Sequence, residues 1–117
     1  MITVYGIKQC DTCHKALKWL SDHNIPHQFH DLRLEGLSRE LVSTWLESEY
    51  GDLLLNRRST TWRSLSKAEK ESEGAAKLQM LVDHPTLIKR PVFVDNKVLA
   101  VGFSPVKLLP IIKGMSG

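Results

Sequence analysis

The chain contains two cysteines, and they lie three residues apart at Cys10 and Cys13. An apolar, β-prone run at residues 2–5 leads towards them through Gly6, and an apolar pattern with helical spacing follows directly. The pair is therefore predicted where a loop enters a helix. Free backbone N–H groups and the positive end of the helix dipole stabilise a thiolate at such a place. Because the thiolate is the nucleophilic form of cysteine, the spacing favours thiol chemistry.

The two cysteines are predicted to have different roles. We expect Cys10 to be exposed and to attack a disulfide or another oxidised substrate, and we expect Cys13, one turn further on, to resolve the mixed species by forming a Cys10–Cys13 disulfide. The alternative is an inert or metal-binding pair. A zinc site needs two more ligands, for which His27-x-x-His30 is a weak candidate. Redox chemistry is favoured, and no metal is predicted.

One cation is close to Cys10 in the sequence. Lys8 lies two residues before Cys10, and a positive charge there lowers the pKa of a thiol. Asp11 acts in the opposite direction on the pKa, and Lys8 as a solvated surface charge stays an alternative. His14 is a candidate acid or base, but a surface position on the helix is favoured for it.

The elements that position these residues follow the order β-α-β, helices, β-β-α. Predicted strands are residues 2–5, 27–32, 92–94 and 98–101, and predicted helices begin at residues 11, 39, 59, 75 and 105. The first unit predicts a parallel strand pair and the last two strands a hairpin. We therefore expect one α/β domain over residues 1–117 with a thioredoxin-like fold. It has a mixed four-stranded sheet and an all-helical insertion at about 38–84. Core packing is favoured for Trp19, Trp45 and Trp62.

A second candidate segment is Arg90-Pro91, directly before a predicted strand. X-Pro bonds can be cis, and thioredoxin-like folds place such a proline opposite the cysteine loop. Arg90 would then face Cys10 and hold an anion or the thiolate; an exposed arginine at a strand edge is the alternative. Arg57 and Arg58 are weaker candidates, with an anion site and a solvated surface weighed equally.

Composition limits the classes of function. The start of the chain lacks the features of a secretory signal, and no run approaches the ~18 apolar residues of a membrane span. Two cysteines in a single motif fit a reducing cytoplasm rather than a disulfide framework. The formal net charge of +3 is compatible with an anionic small substrate. It is too small to indicate nucleic acid, and neither a nucleic acid nor a membrane partner is predicted.

Several segments resemble the arsenate-reductase-like family, which includes the ArsC reductases, the Spx regulators and the small YffB proteins. These segments are residues 5–16, Trp19-Leu20, Ile25-Pro26, Asn56-x-Arg58, His84-Pro85, residues 87–91 and residues 101–103. The resemblance covers essentially the whole chain, and its length and motif wording indicate the YffB type.

The resemblance implies a thioredoxin-like fold with a helical insertion, in which Cys10 does the chemistry. ArsC reductases form a thiol–arsenate adduct, use glutathione and glutaredoxin, and hold the oxyanion with three arginines. One arginine matches Arg90 and a second falls in the region 56–58, but Gly102-Phe103-Ser104 stands where the third is expected. Because a missing cation weakens an anion site, arsenate reduction is disfavoured.

Cys13 matches the second cysteine of the Spx redox switch, and Spx proteins bind RNA polymerase. We therefore favour a thiol–disulfide reductase with no bound cofactor, glutathione as co-substrate and glutaredoxin as a further candidate partner. Its catalytic residues are Cys10 and Cys13, and the candidates for holding an anionic group are Arg90, Pro91, Arg58 and Lys8. Arsenate reductase ranks second, and an RNA-polymerase-binding regulator ranks third.

Overall fold

A computed structural model describes residues 1–115. Strands in this part of the chain are β1 (Ile2–Gly6), β2 (His27–Asp31), β3 (Val92–Asp95) and β4 (Lys97–Val101). The α-helices are α1 (Asp11–Asp22), α2 (Arg39–Glu47), α3 (Thr60–Arg63), α4 (Lys67–Lys70), α5 (Gly74–Asp83) and α6 (Pro105–Met115), and 3₁₀ turns occupy Gly51–Leu53 and Pro85–Leu87. Within these residues, no helix is long and apolar enough to cross a membrane.

The chain divides into two compact units. The sheet unit contains Met1–Asp31 and the chain from Arg90 onward, and the helical unit contains Leu32–Lys89. In the sheet unit the strand order is β2-β1-β3-β4. β1 is parallel to β2 and antiparallel to β3, and β3 forms an antiparallel hairpin with β4. The predicted α/β class, the mixed four-stranded sheet, the parallel pair and the hairpin are confirmed.

The core of the sheet unit fixes α1 against the sheet. β1 alternates between buried and half-buried residues, as a strand does when only one of its faces lies against the core. The core cluster on that face contains Ile2, Val4, Ala16, Leu20, Phe93, Leu99, Leu108 and Ile112. Each large aliphatic side chain buried there contributes about 1.5–3 kcal/mol to stability. The first turn of α1 is thereby held beside the end of β1.

The last helix begins as predicted. Pro105 is its first residue, where a missing N–H costs no helical hydrogen bond, and the Ser104 carbonyl accepts hydrogen bonds from Lys107 and Leu108. The helix continues through Pro110 to Met115. A proline inside a helix removes one backbone hydrogen bond, so we expect Pro110 to weaken this helix.

Serine caps define the starts of three helices in the helical unit. Ser38 accepts a hydrogen bond from the Leu41 N–H and is the N-cap of α2, which agrees with the helix start predicted at residue 39. Ser59 caps α3 in the same way. Ser66 and Glu69 form a capping box at the start of α4.

The tryptophans differ in burial. Trp45 is fully buried on α2, whereas Trp19 and Trp62 are half-buried. The Trp62 ring lies beneath the Arg57 guanidinium, at 5.6 Å, and the Lys70 ammonium, at 5.8 Å. The expected core position of Trp62 is therefore wrong. Spacing on a four-residue helix predicts which residues share a face but not how much of that face is covered.

Candidate thiol site

Cys10 is the N-cap residue of α1. Its backbone is extended (φ −86°, ψ 121°), and its carbonyl accepts the His14 N–H at 3.0 Å, as the first hydrogen bond of the helix. The side chain is half-buried. Partial burial raises the pKa of the Cys10 thiol, but the Cys13 N–H, the Cys13 thiol and the Arg90 guanidinium all face its sulfur. These groups outweigh burial, so the pKa of Cys10 lies below its ordinary value.

Cys13 differs from Cys10 in burial and in pKa. It is fully buried in the first turn of α1. Burial is the main cause that raises its pKa to about 11, a neighbouring Cys10 thiolate raises it further, and the Ile7 N–H facing its sulfur acts in the opposite direction. At neutral pH, Cys13 is therefore a thiol beside a more acidic Cys10.

The end of β1 makes room for the Cys13 side chain. A Cβ atom added to Gly6 would lie 2.5 Å from the Cys13 Sγ and 3.2 Å from the ring of Phe29. Real Cβ atoms essentially never approach sulfur so closely. Only glycine fits at this position, because the backbone of the strand passes directly against the cysteine.

The loop between β1 and α1 is held by backbone contacts. The Cys10 N–H donates to the Ile7 carbonyl at 3.0 Å, and the Lys8 N–H donates to the Asp31 Oδ2 at 2.9 Å. The Lys8 side chain is exposed. Its backbone is therefore anchored in the site, while its predicted electrostatic effect on the Cys10 thiol stays a prediction.

Arg90 and Pro91 form a second segment at the site. The peptide bond between them is cis, and it precedes β3. The Arg90 guanidinium faces the Cys10 sulfur and lowers the pKa of that thiol. Pro91 is buried, and its carbonyl accepts the Gly102 N–H at 2.8 Å. The structure thus brings Arg90 to Cys10, as the sequence pattern anticipated.

Arg58 belongs to the other unit. It is exposed after the 3₁₀ turn at Gly51–Leu53, and its backbone N–H donates to the Asn56 Oδ1 at 3.1 Å. Cys10, Cys13, Arg90, Pro91 and Lys8 all belong to the sheet unit. The predicted anion-binding role of Arg58 stays a prediction.

The histidines have contacts of their own. The ring of His14 donates from Nε2 to the Lys8 carbonyl. The Nδ1 of His27 donates to the Ile25 carbonyl at 2.8 Å, and the ring of His30 packs against Tyr5 with centroids 4.7 Å apart. Across residues 1–115, no three His, Cys, Asp or Glu side chains are grouped so that they could hold a metal.

Two residues of the site were missed from the sequence. Asp31 is the only charged side chain among residues 1–115 that is buried, and Gly6 is the residue that admits Cys13. The available signals were an acidic residue near the end of the predicted strand 27–32 and a glycine directly after the predicted strand 2–5. Neither signal reveals its partner, because Lys8 and Asp31 are 23 residues apart.

The arrangement can carry out disulfide exchange. A half-buried thiol with a lowered pKa, beside a cation, supplies the attacking thiolate. A buried thiol with a raised pKa, within reach of the first sulfur, supplies the second nucleophile once a proton is removed.

Comparison with known proteins gives a consistent family result. The model of the ArsC family matches residues 5–111. An uncharacterized protein of Haemophilus influenzae is 50% identical over 106 residues, which cover 89% of this chain and 92% of that protein. Regulatory protein MgsR of Bacillus subtilis is 33% identical over 114 residues, which cover 96% of this chain and 90% of MgsR.

A solved structure named YFFB protein has the same fold. It superposes with a TM-score of 0.82 and 36% sequence identity, covering 91% of this chain and 94% of its own.

Proposed function

The chain belongs to the ArsC family, and on that premise we propose that it is a thiol–disulfide oxidoreductase that reduces glutathione-containing or other small disulfides. The observation that carries the proposal is the pKa difference between the two cysteines. The pKa of Cys10 is lowered beside Arg90, whereas burial raises the pKa of Cys13 to about 11. We place the activity in the reducing cytoplasm, where two cysteines in a single motif are kept as thiols.

The proposed reaction has two exchange steps. The Cys10 thiolate attacks one sulfur of the substrate disulfide, a bond forms to Cys10, and the other sulfur leaves as a thiolate that takes a proton. Cys13 then loses its proton and attacks the Cys10 sulfur. This forms the Cys10–Cys13 disulfide and releases the second thiol. The substrate gains two electrons and the protein loses them, and a thiol donor such as glutathione or a glutaredoxin returns them.

Arg90 has two roles in this proposal. Its guanidinium stabilises the Cys10 thiolate before attack, and it offers paired N–H donors to a carboxylate of glutathione. Lys8 and Arg58 are proposed as additional cations for the same anionic substrate, and the backbone beside Pro91 as the wall along which the substrate lies.

Reduction of a glutathione mixed disulfide tests the proposal, with cysteine variants measured alongside. Cys10→Ser is expected to abolish turnover. Cys13→Ser is expected to accumulate protein that carries one glutathionyl group, visible as a mass shift that dithiothreitol removes. Full activity in Cys10→Ser would refute the assignment of Cys10 as the attacking cysteine. Equal loss in both variants, without a trapped adduct, would remove the resolving role of Cys13.

Arsenate reduction is the second candidate, and the cation at Cys10 is the observation that favours it. Arg90 supplies one of the three arginines that the family resemblance implies, but Gly102-Phe103-Ser104 follows β4 where a third is expected. Arsenate-dependent oxidation of glutathione by the purified protein, together with arsenate sensitivity of a deletion strain, would distinguish this candidate from the first.

A redox-responsive regulator is the third candidate, and the similarity to regulatory protein MgsR favours it. The regulator hypothesis predicts a change in RNA polymerase binding between the dithiol and the disulfide form. A pull-down with each form tests it, and no enrichment of polymerase subunits in either form would count against it.

A further inference from the structure

The peptide groups on both sides of Lys8 are held by side chains from two different elements. The Lys8 N–H donates to the Oδ2 of Asp31 at 2.9 Å, at the end of β2. The Lys8 carbonyl accepts the Nε2–H of His14, in the first turn of α1. Because a peptide group is planar, holding the polar atoms on both sides of one residue fixes the course of the loop there.

The adjacent residue makes contact with both cysteines. The Ile7 carbonyl accepts the Cys10 N–H at 3.0 Å, and the Ile7 N–H faces the Cys13 sulfur. A shift of the loop at Lys8 would therefore move the backbone atoms that meet Cys10 and Cys13. The sheet register explains how Asp31 reaches this point: Asp31 pairs with Gly6, the last residue of β1. This pairing places the Asp31 carboxylate beside the loop that follows β1, where it meets the Lys8 N–H.

Burial makes this aspartate unusual. Asp31 is only 6% exposed, and among residues 1–115 it is the one charged side chain that is buried. A buried carboxylate costs stability unless hydrogen bonds compensate for the lost water. The Lys8 N–H supplies one such hydrogen bond.

We propose that Asp31, together with His14, is a positioning residue that holds the Cys10 loop so that the Cys10 sulfur keeps its place at the start of α1, facing the Cys13 N–H and Arg90. The inference rests on the proposed function only in taking Cys10 as the attacking cysteine. Neither side chain is required to touch the substrate. Their effect reaches the chemistry through the backbone of Ile7, Lys8 and Cys10.

The positioning role is tested by the pH dependence of Cys10 alkylation. Iodoacetamide is the reagent, and mass spectrometry of the intact chain measures the rate at each pH. Asp31→Ala removes both a hydrogen-bond acceptor and a negative charge. Loss of the charge alone lowers the pKa of a nearby thiol. Loss of positioning raises the pKa of Cys10 towards its ordinary value, since the sulfur leaves its donors. We expect a net rise, with alkylation about fivefold slower at a pH below the midpoint.

Asp31→Asn is the matched variant, because it removes the same charge and keeps an oxygen that can accept the Lys8 N–H. We expect its Cys10 midpoint at or below that of the wild-type protein. His14→Ala, at an exposed position, is expected to shift the midpoint upward by less than Asp31→Ala. Asp22→Asn, at the far end of α1, serves as the control for loss of an acidic side chain and should leave the profile unchanged.

The outcomes separate clearly. An unchanged or lowered midpoint in folded Asp31→Ala overturns the proposal, as does a rise of equal size in Asp31→Asn. If Asp31→Ala does not fold, His14→Ala becomes the test. An unchanged alkylation profile in His14→Ala then overturns the proposal. Alkylation needs no disulfide substrate. Absence of disulfide reduction in the wild-type protein would therefore sink the proposed function and leave this inference standing.

Discussion

Cys10 and Cys13 are only three residues apart, but their pKa values are shifted in opposite directions because they have different surroundings at the start of α1. Cys10 precedes the helix, where the Cys13 N–H and Arg90 face its sulfur, whereas Cys13 is buried in the first turn of the helix. This asymmetry follows from the position of the motif at the end of a strand. The position of the motif at a predicted helix start therefore indicated that Cys10 is the more exposed of the two cysteines. It did not predict Gly6 or Asp31, whose importance arises from the register between β1 and β2.

Arg90→Gln tests the electrostatic part of the site. Removing the guanidinium from the Cys10 sulfur is expected to raise the pKa of that thiol, since the cation lowers it. Thiolate exists above the pKa, so the midpoint of the alkylation profile should move to higher pH, and the rate at neutral pH should fall several-fold. Lys89→Gln, which removes the neighbouring exposed cation, is the control. Equal alkylation profiles for the wild-type protein and Arg90→Gln would contradict the conclusion that Arg90 lowers the pKa of Cys10.

Cys13 predicts a pH dependence of stability. Its pKa is about 11 in the folded protein, above the ~8.5 of an unfolded chain. Between these values the folded state keeps a proton that the unfolded state has lost, so the free energy of unfolding decreases as pH rises. The decrease should be about 3 kcal/mol, at ~1.4 kcal/mol per pKa unit, and it should start near the unfolded pKa. Urea denaturation of the wild-type protein and Cys13→Ala at several pH values measures it. The difference between the two proteins removes the contribution of all groups other than the two interacting cysteines, and parallel curves would refute the prediction.

At the level of elements, the critical contact is the close passage of the end of β1 against the first turn of α1. Gly6→Ala would place a methyl group 2.5 Å from the Cys13 Sγ, and overpacking of this kind costs about 1–3 kcal/mol. Gly114→Ala is the matched control, because a Cβ there meets nothing within 4 Å and alanine favours a helix. Urea denaturation should show a lower free energy of unfolding for Gly6→Ala than for the wild-type protein, and no decrease for Gly114→Ala. Equal stabilities would show that the strand backbone can move away.

Element boundaries were predicted well where the local chemistry decides them. Ser38 and Pro105 mark helix starts through a side-chain acceptor and a fixed φ, which act within one turn of the chain. The burial of Trp62 could not be obtained in the same way. It depends on what covers a four-residue helix, and the covering groups are the side chains of Arg57 and Lys70. Local signals specify where an element starts, while its burial is a property of the packed unit.

At the level of the whole molecule, the order of strands and helices was enough to predict a mixed sheet. A β-α-β unit must cross over to give parallel strands, and a hairpin adds antiparallel ones. The same order placed the cysteine loop and Arg90-Pro91 in one unit, although 80 residues separate Cys10 from Arg90 in the sequence. Arg58 belongs to the helical unit, and its anion-binding role stays a prediction.

Net charge gives a prediction that belongs to the whole chain. With a formal charge of +3, the protein should attract an anionic disulfide such as oxidised glutathione, and added salt should weaken that attraction because the Debye length falls from about 10 Å at 0.1 M to about 3 Å at 1 M. We expect kcat/KM for oxidised glutathione to fall as sodium chloride is raised over that range. The neutral disulfide of 2-mercaptoethanol is the matched substrate, and its kcat/KM should stay nearly constant. If both substrates lose activity in parallel, salt acts on the protein itself, and selection of an anionic substrate by charge is refuted.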